Sequence, residues 1–233
     1  MKAKQTLTLL LVLALMGSLL SGCGGTAAPT PTTQTPAAQA PAEASAQSDP
    51  AESGGGKILI VYFAVAENSD VDAVSSASVL MDDNEAKGMS KFIADIIAER
   101  TDGELFSIRT EEKFPGEYNP LADRAKEQQN KGEKPTLTSH IENLDDYDVI
   151  FIGYPIWWYT LPQVMFSFFE EYDFSGKTII PFCTHFGSRD SGTFKTIAEL
   201  EPDAEMLDGI AVNQRDVAGC KKDVLDWLEG LGY

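Results

Sequence analysis

Trp157, Trp158 and Tyr159 stand side by side, directly after Tyr154-Pro155-Ile156. Three consecutive rings suit a planar ligand, because each buries a large apolar face and stacks favourably. Neighbours in an extended segment point to opposite sides, so two adjacent indoles cannot both enter one core. At least one is therefore exposed or covers a ligand; otherwise the rings cap the edge of a sheet. A second stretch, Thr184-His185-Phe186-Gly187-Ser188, gathers two hydroxyls, several backbone amides and an imidazole. His185 is a candidate for a catalytic proton donor, while lone histidines more often make structural hydrogen bonds. His140, in Ser139-His140-Ile141-Glu142, reads as surface. Two histidines and three cysteines (Cys23, Cys183, Cys220) leave no zinc ribbon and no multi-histidine site, so no metal is expected. Cys183 ends a buried strand and reads as a small core residue rather than a nucleophile. Its pairing with Cys220 is left open. The acidic run from Glu199 to Asp208 reads as a solvated face.

The charge narrows the class. Eighteen Lys and Arg against 36 Asp and Glu give a net −18. A phosphate backbone is gripped by basic patches, and this chain has too little base to build one, so nucleic acid is excluded as a partner. A protein partner would be basic, drawn in by long-range steering.

Residues 1–22 read as an export leader. Lys2 and Lys4 precede an apolar stretch, Leu7 to Leu20, too short for a mature transmembrane helix. The stretch ends in Leu20-Ser21-Gly22-Cys23, which resembles the lipobox of bacterial lipoproteins. That resemblance implies cleavage before Cys23, a lipid with fatty acyl chains such as palmitate on its thiol, and attachment to the bacterial cell membrane on the extracytoplasmic side. Each buried methylene contributes ~0.8 kcal/mol, so two or three chains anchor firmly. Residues 23–56 are rich in Ala, Pro, Thr, Ser and Gln, without Lys, Arg or aromatics, and form a disordered tether.

The domain, 57–233, alternates strand and helix. Continuous apolar runs at 57–63, 148–153 and 177–183 read as parallel strands buried on both faces, with a shorter strand at 104–108 and a weaker one at 206–212. Helices are expected at 88–101, 120–131, from about Pro162, at 191–200 and from Asp216 to about Leu231. This alternation predicts an α/β fold, a doubly wound five-stranded parallel sheet with helices on both faces. In such sheets a ligand sits at the carboxyl ends of the strands, which directs attention to the loops after Phe63, Gly153 and Cys183.

At two of those loops the chain resembles the flavodoxin family, in the branch with a Gly-Tyr-Pro-x-Trp-Trp loop. The matching residues are Gly153-Tyr154-Pro155-Ile156-Trp157-Trp158, Asp173-Phe174-Ser175-Gly176-Lys177 and Pro181-Phe182-Cys183-Thr184-His185-Phe186-Gly187-Ser188. The resemblance implies non-covalent FMN, with Pro155 to Tyr159 and Thr184 to Ser188 around the flavin ring. It implies electron transfer, or flavin-dependent reduction of quinone-type acceptors, with a small molecule or a protein as redox partner. It also implies that backbone amides after the first strand cradle the phosphate. Here the chain departs from the family. Ala64 stands where a serine is usual, a long segment follows, and Gly88-Met89-Ser90 aligns with the usual Gly-Asn-Thr. Ala64, Asn68, Gly88, Met89 and Ser90 are therefore the expected phosphate contacts. Glu67, Asp70, Asp72, Asp82, Asp83 and Glu85 crowd the same segment with like charge unless they point away. A cofactor-free binding or scaffold module on the same fold is the alternative function.

The anchoring reading has a direct test. Cys23→Ser should release the domain into the medium or leave an uncleaved precursor. A mature wild-type protein that partitions into the aqueous phase with detergent would overturn it.

Overall fold

A computed structural model describes residues 56–69, 79–82 and 85–233. The leader of residues 1–22, Cys23 and all but the last residue of the tether lie outside the described residues, as do Asp70, Asp72 and Asp83. The sheet is parallel. β1 (Ile58–Phe63) lies between the edge strand β4 (Glu104–Ile108) and the central strand β5 (Val149–Pro155), and β6 (Thr178–His185) follows beyond β5. The fifth position is shared by β7 (Glu205–Met206) and β8 (Ile210–Asn213), both paired with β6.

Strand residues alternate between two cores, which is why the apolar runs are unbroken. Leu59, Val61 and Phe63 enter the core beneath α2 (Tyr118–Lys131), α3 (Gln163–Glu171) and α4 (Thr193–Leu200). Ile60, Tyr62 and Ala64 enter the core beneath α1 (Met89–Thr101) and α5 (Lys221–Gly230). Pro162 precedes α3 instead of opening it, and the expected start of the last helix at Asp216 is a separate 3-10 turn, Val217–Gly219.

The fifth strand is split for a local reason. The amides of Thr178 and the carbonyl of Thr184 bond toward β5, so odd-numbered β6 residues address the edge, as the bond from Leu207 N–H to the Ile179 carbonyl shows. Pro181 is one of these, and it has no N–H to give. The gap between β7 and β8 lies opposite it. There Gly209 approaches so closely that a Cβ would sit 2.4 Å from the Pro181 carbonyl oxygen.

One element was not expected. Where the sequence reads as a long loop, β2 (Val79–Asp82) and β3 (Glu85–Gly88) form an antiparallel hairpin, and β3 runs straight into α1. Among the described residues no helix is long and apolar enough to cross a membrane.

Cys183 and Cys220 are both free and buried, in different cores on opposite faces of the sheet. The open question of their pairing is thereby answered: the sheet separates them. Burial pushes the Cys183 thiol well up and the Cys220 thiol up to about 11, so neither is a thiolate at neutral pH. Both thiols should stay inert to a thiol reagent in the native protein and react in denaturant. A crosslinked Cys183–Cys220 peptide after oxidation would contradict this arrangement.

Candidate functional site

The carboxyl edge is organised from Asn68. After Phe63 the chain passes Ala64 and a 3-10 turn, Val65–Glu67. The Asn68 amide then donates to the carbonyls of Ala64 and Ile108, at 2.9 Å each, and its oxygen accepts from the N–H of Thr110 (2.9 Å) and the Thr110 hydroxyl (3.2 Å). All four hydrogen-bonding positions of the side chain are used, which corrects the expectation that it contacts a phosphate. It ties the end of β1 to the end of β4. Its own carbonyl accepts from Phe114 N–H at 2.8 Å. Phe114 is thereby placed against Phe63 and Trp157, the three rings meeting edge to face with centroids 5.5–5.7 Å apart. Trp157 is 8% exposed and belongs to the core.

Its neighbours face outward. Trp157 and Thr160 exchange both backbone hydrogen bonds, at 3.1 and 3.0 Å, across a two-residue turn. Trp158 (φ 48°) and Tyr159 (φ 62°) are the central pair. Positive φ at both places is the type I′ turn, for which Asn-Gly is preferred and bulky side chains are strained. Trp158, 43% exposed, donates from Nε1 to the Ala122 carbonyl of α2 at 2.8 Å, and Tyr159 is 75% exposed. With Tyr118, Leu121, Ala122 and Ala125 of α2, and with Phe186, Gly187 and Ser188, the segment Ile156–Tyr159 lines a cavity of about 360 Å³. That volume is within the range of small-molecule sites.

The loop after β6 forms the other wall. β6 runs on to His185, so Thr184 and His185 are strand residues beneath the cavity, like Pro155 at the end of β5. His185 is buried, and its Nδ1 accepts the Gly187 N–H at 2.9 Å. Burial holds its pKa below the usual histidine range, against the opposing effect of a backbone hydrogen bond with Ala211. The imidazole is neutral and positions Gly187, and none of it reaches the cavity lining. Tyr154 donates to the Thr193 hydroxyl at 2.9 Å, and Thr193 donates to the Asp190 carbonyl at 2.6 Å, which fixes the far end of the loop.

Among the described residues two buried polar atoms at this edge have no partner: Thr184 Oγ1, and Gln214 Oε1 just past β8. An unsatisfied buried group costs ~1–3 kcal/mol, and neither residue is part of the cavity lining.

The remaining candidates lie at the start of α1. Gly88 is its N-cap, with no side-chain cap and no acidic residue in the first turn, and Met89 and Ser90 are buried. A Cβ on Gly88 would fall 2.4 Å from the Cβ of Ala64, so these two small residues allow the helix start to meet the end of β1. Glu67 is turned away toward β4. It accepts from Tyr62 and Ser107 and pairs with Arg109 at 3.1 Å. Its charge is compensated there.

Ile156 to Tyr159 and Phe186 to Ser188 are thus brought together around one cavity, and Ala64, Gly88, Met89 and Ser90 are grouped at α1, off the cavity lining. The contribution of α2 was missed. Tyr118, Leu121, Ala122 and Ala125 recur at helical spacing, an apolar stripe that the polar composition of that helix hides. Among the described residues no group of three or more His, Cys, Asp or Glu side chains is placed to hold a metal ion.

The sequence profile of the flavodoxin family matches residues 78–231, well over half of the chain. The chain belongs to the flavodoxin family. Two similar crystal structures, provisionally assigned as flavoproteins, come from Bacteroides uniformis ATCC 8492 and Bacteroides eggerthii DSM 20697. The first has a TM-score of 0.57 at 26% identity, covering 76% of this chain and 99% of that one. The second has a TM-score of 0.58 at 25% identity, covering 76% and 98%. A Lactobacillus acidophilus NCFM flavoprotein solved in complex with FMN shares the fold, with a TM-score of 0.50 at 19% identity over 70% of this chain and 97% of that one. No curated protein matches. The family match opens at residue 78, after β1 and Asn68, in the stretch where this flavodoxin inserts its hairpin.

The two tryptophans should separate on mutation. Trp157→Ala should cost ~3–5 kcal/mol of stability, the usual range for an aromatic removed from a core. The pair Trp158→Asn with Tyr159→Gly should melt no lower than wild type, because relief of ~1–3 kcal/mol of strain per residue offsets a lost hydrogen bond of about 1 kcal/mol. Equal losses of melting temperature would show that the turn serves folding alone.

Proposed function

We propose that this flavodoxin binds FMN and works as a redox protein, passing electrons to a protein partner or reducing quinone-type small molecules. The observation that carries the reading is the aromatic cavity between the Trp158-Tyr159 turn and the Phe186–Ser188 loop, at the carboxyl edge of the sheet. FMN supplies reversible one- and two-electron chemistry when bound.

The residues present fit it. Trp158, Tyr159 and Phe186 offer faces for a flat ring, whereas the unpartnered Thr184 Oγ1 and Gln214 Oε1 lie outside the cavity lining. The first N–H groups of α1 have no intrahelical partners, and the helix dipole favours an anion there. Ser90 adds a hydroxyl in that first turn. His185 stays neutral and holds the Gly187 amide in place, a positioning role in preference to proton donation. The rings of the cavity wall exclude water from whatever ring they enclose.

The net charge of −18 suits a basic protein partner, guided by long-range attraction that salt would weaken. Anchoring at the bacterial membrane through lipidated Cys23 completes the proposal, supported by the Leu20-Ser21-Gly22-Cys23 motif and a Pro-rich spacer.

A flavin-fluorescence titration tests the reading. FMN should bind one to one, and riboflavin, without the phosphate, at least tenfold more weakly. Ser90→Ala removes one charge-assisted bond of ~1.5–3 kcal/mol, so it should weaken FMN by about tenfold to a hundredfold and leave riboflavin unchanged. A chain that takes up neither flavin would refute the proposal.

A further inference from the structure

Among the described residues six large apolar or aromatic side chains stay exposed, and four of them, Tyr118, Trp158, Tyr159 and Phe186, line this one cavity. A protein does not leave four rings open to water around one depression without something to cover them. The charges around them are equally uneven. Acidic side chains outnumber basic ones two to one over the chain, yet the cavity lining contains no acidic residue. Two cations lie against its rings: Lys126 Nζ is 5.1 Å from the centre of the Trp158 ring, and the Arg215 guanidinium carbon is 5.9 Å from that of Phe186.

Among the described residues neither cation is in an ion pair, although acids abound. The contrast is sharpest on α2, where Arg124 pairs with Glu112, Glu127 and Glu133, and Lys131 with Glu127 and Glu133. Lys126, on the same helix, bonds the neutral Gln129 side chain at 2.7 Å and lies beside the indole. Arg189, directly after Ser188 of the lining, is a third basic residue on this side, held at φ 55°. Asp123 and Glu127 share the depression beside Lys126 and Trp158, and Asp190 and Asp216 follow Arg189 and Arg215, yet the two cations seated on the rings have no ion-pair partner among the described residues, an arrangement that favours a ligand both flat and negative.

We propose that the mouth of the cavity, beside the bound flavin, admits as its small-molecule partner planar aromatic molecules that carry a carboxylate or sulfonate. The inference rests on the FMN reading and deepens it by naming the class of acceptor. Lys126 and Arg215 provide the charge selection, and Tyr118, the exposed ring of the lining that the flavin reading does not use, the ring contact.

The test uses FMN-loaded protein and two soluble probes, anthraquinone-2-sulfonate and 2-(hydroxymethyl)anthraquinone, with binding read by calorimetry. FMN uptake is measured first, in a separate titration, so that failure of the FMN reading is seen before any quinone is added. The sulfonate should bind at least tenfold more tightly than the alcohol, and the preference should shrink as salt is raised. Lys126→Gln and Arg215→Gln should each weaken the sulfonate about fivefold, leaving the alcohol and FMN unaffected. Arg100→Gln, in the last turn of α1, is the control and should change nothing. The proposal is overturned if the two probes bind alike, if the sulfonate displaces FMN, or if the glutamine variants keep the wild-type preference.

Discussion

The side-chain amide of Asn68 holds the ends of β1 and β4 at one fixed separation, and the architecture of the carboxyl edge is stacked on that distance. Its backbone carbonyl sets Phe114, Phe114 and Phe63 set Trp157, and Trp157 is one end of the turn that turns Trp158 and Tyr159 outward. Each link is a buried contact with little freedom. An amide with four satisfied hydrogen bonds in a dry setting is costly to disturb, because breaking one leaves an orphaned group behind.

Conformational strain is concentrated where that chain of contacts ends. Of the five non-glycine residues with positive φ among those described, Trp158, Tyr159, Arg189 and Ser191 lie in the two loops flanking the cavity, and the fifth, Asp102, caps α1. Such conformations cost of order 1–3 kcal/mol each and persist only when the surroundings impose them. The rigid strand ends supply the constraint: β5 and β6 are paired up to Pro155 and Thr184, and the Ile156 N–H continues the bonding to the Thr184 carbonyl. The loops are strained because the scaffold beneath them cannot yield.

The fold was legible in the sequence because central parallel strands are buried on both faces and so appear as unbroken apolar runs. Both signature loops were legible too, since neighbouring indoles cannot share one core. Which of them faces out was not, because that depends on Phe63 and Phe114, residues 94 and 43 positions before Trp157 in the chain. Asn68 was misread for a similar reason. A polar residue in a loop near a helix start resembles a ligand contact, and its partners Ile108 and Thr110 are about 40 residues away. The hairpin β2–β3 escaped because its strands are four residues each, too short for periodicity to register.

The interruption opposite Pro181 bears on how this molecule meets other copies of itself. A continuous edge strand offers a row of unpaired amides and carbonyls to any passing extended chain, which is how sheets from separate molecules fuse. Here the outer strand is a two-residue piece and a four-residue piece, with Gly209 pressed against the Pro181 carbonyl between them. No intruding strand finds a register of useful length along it. Crowding, such as anchorage side by side on one surface would impose, is then tolerated without sheet-to-sheet polymerisation along this edge.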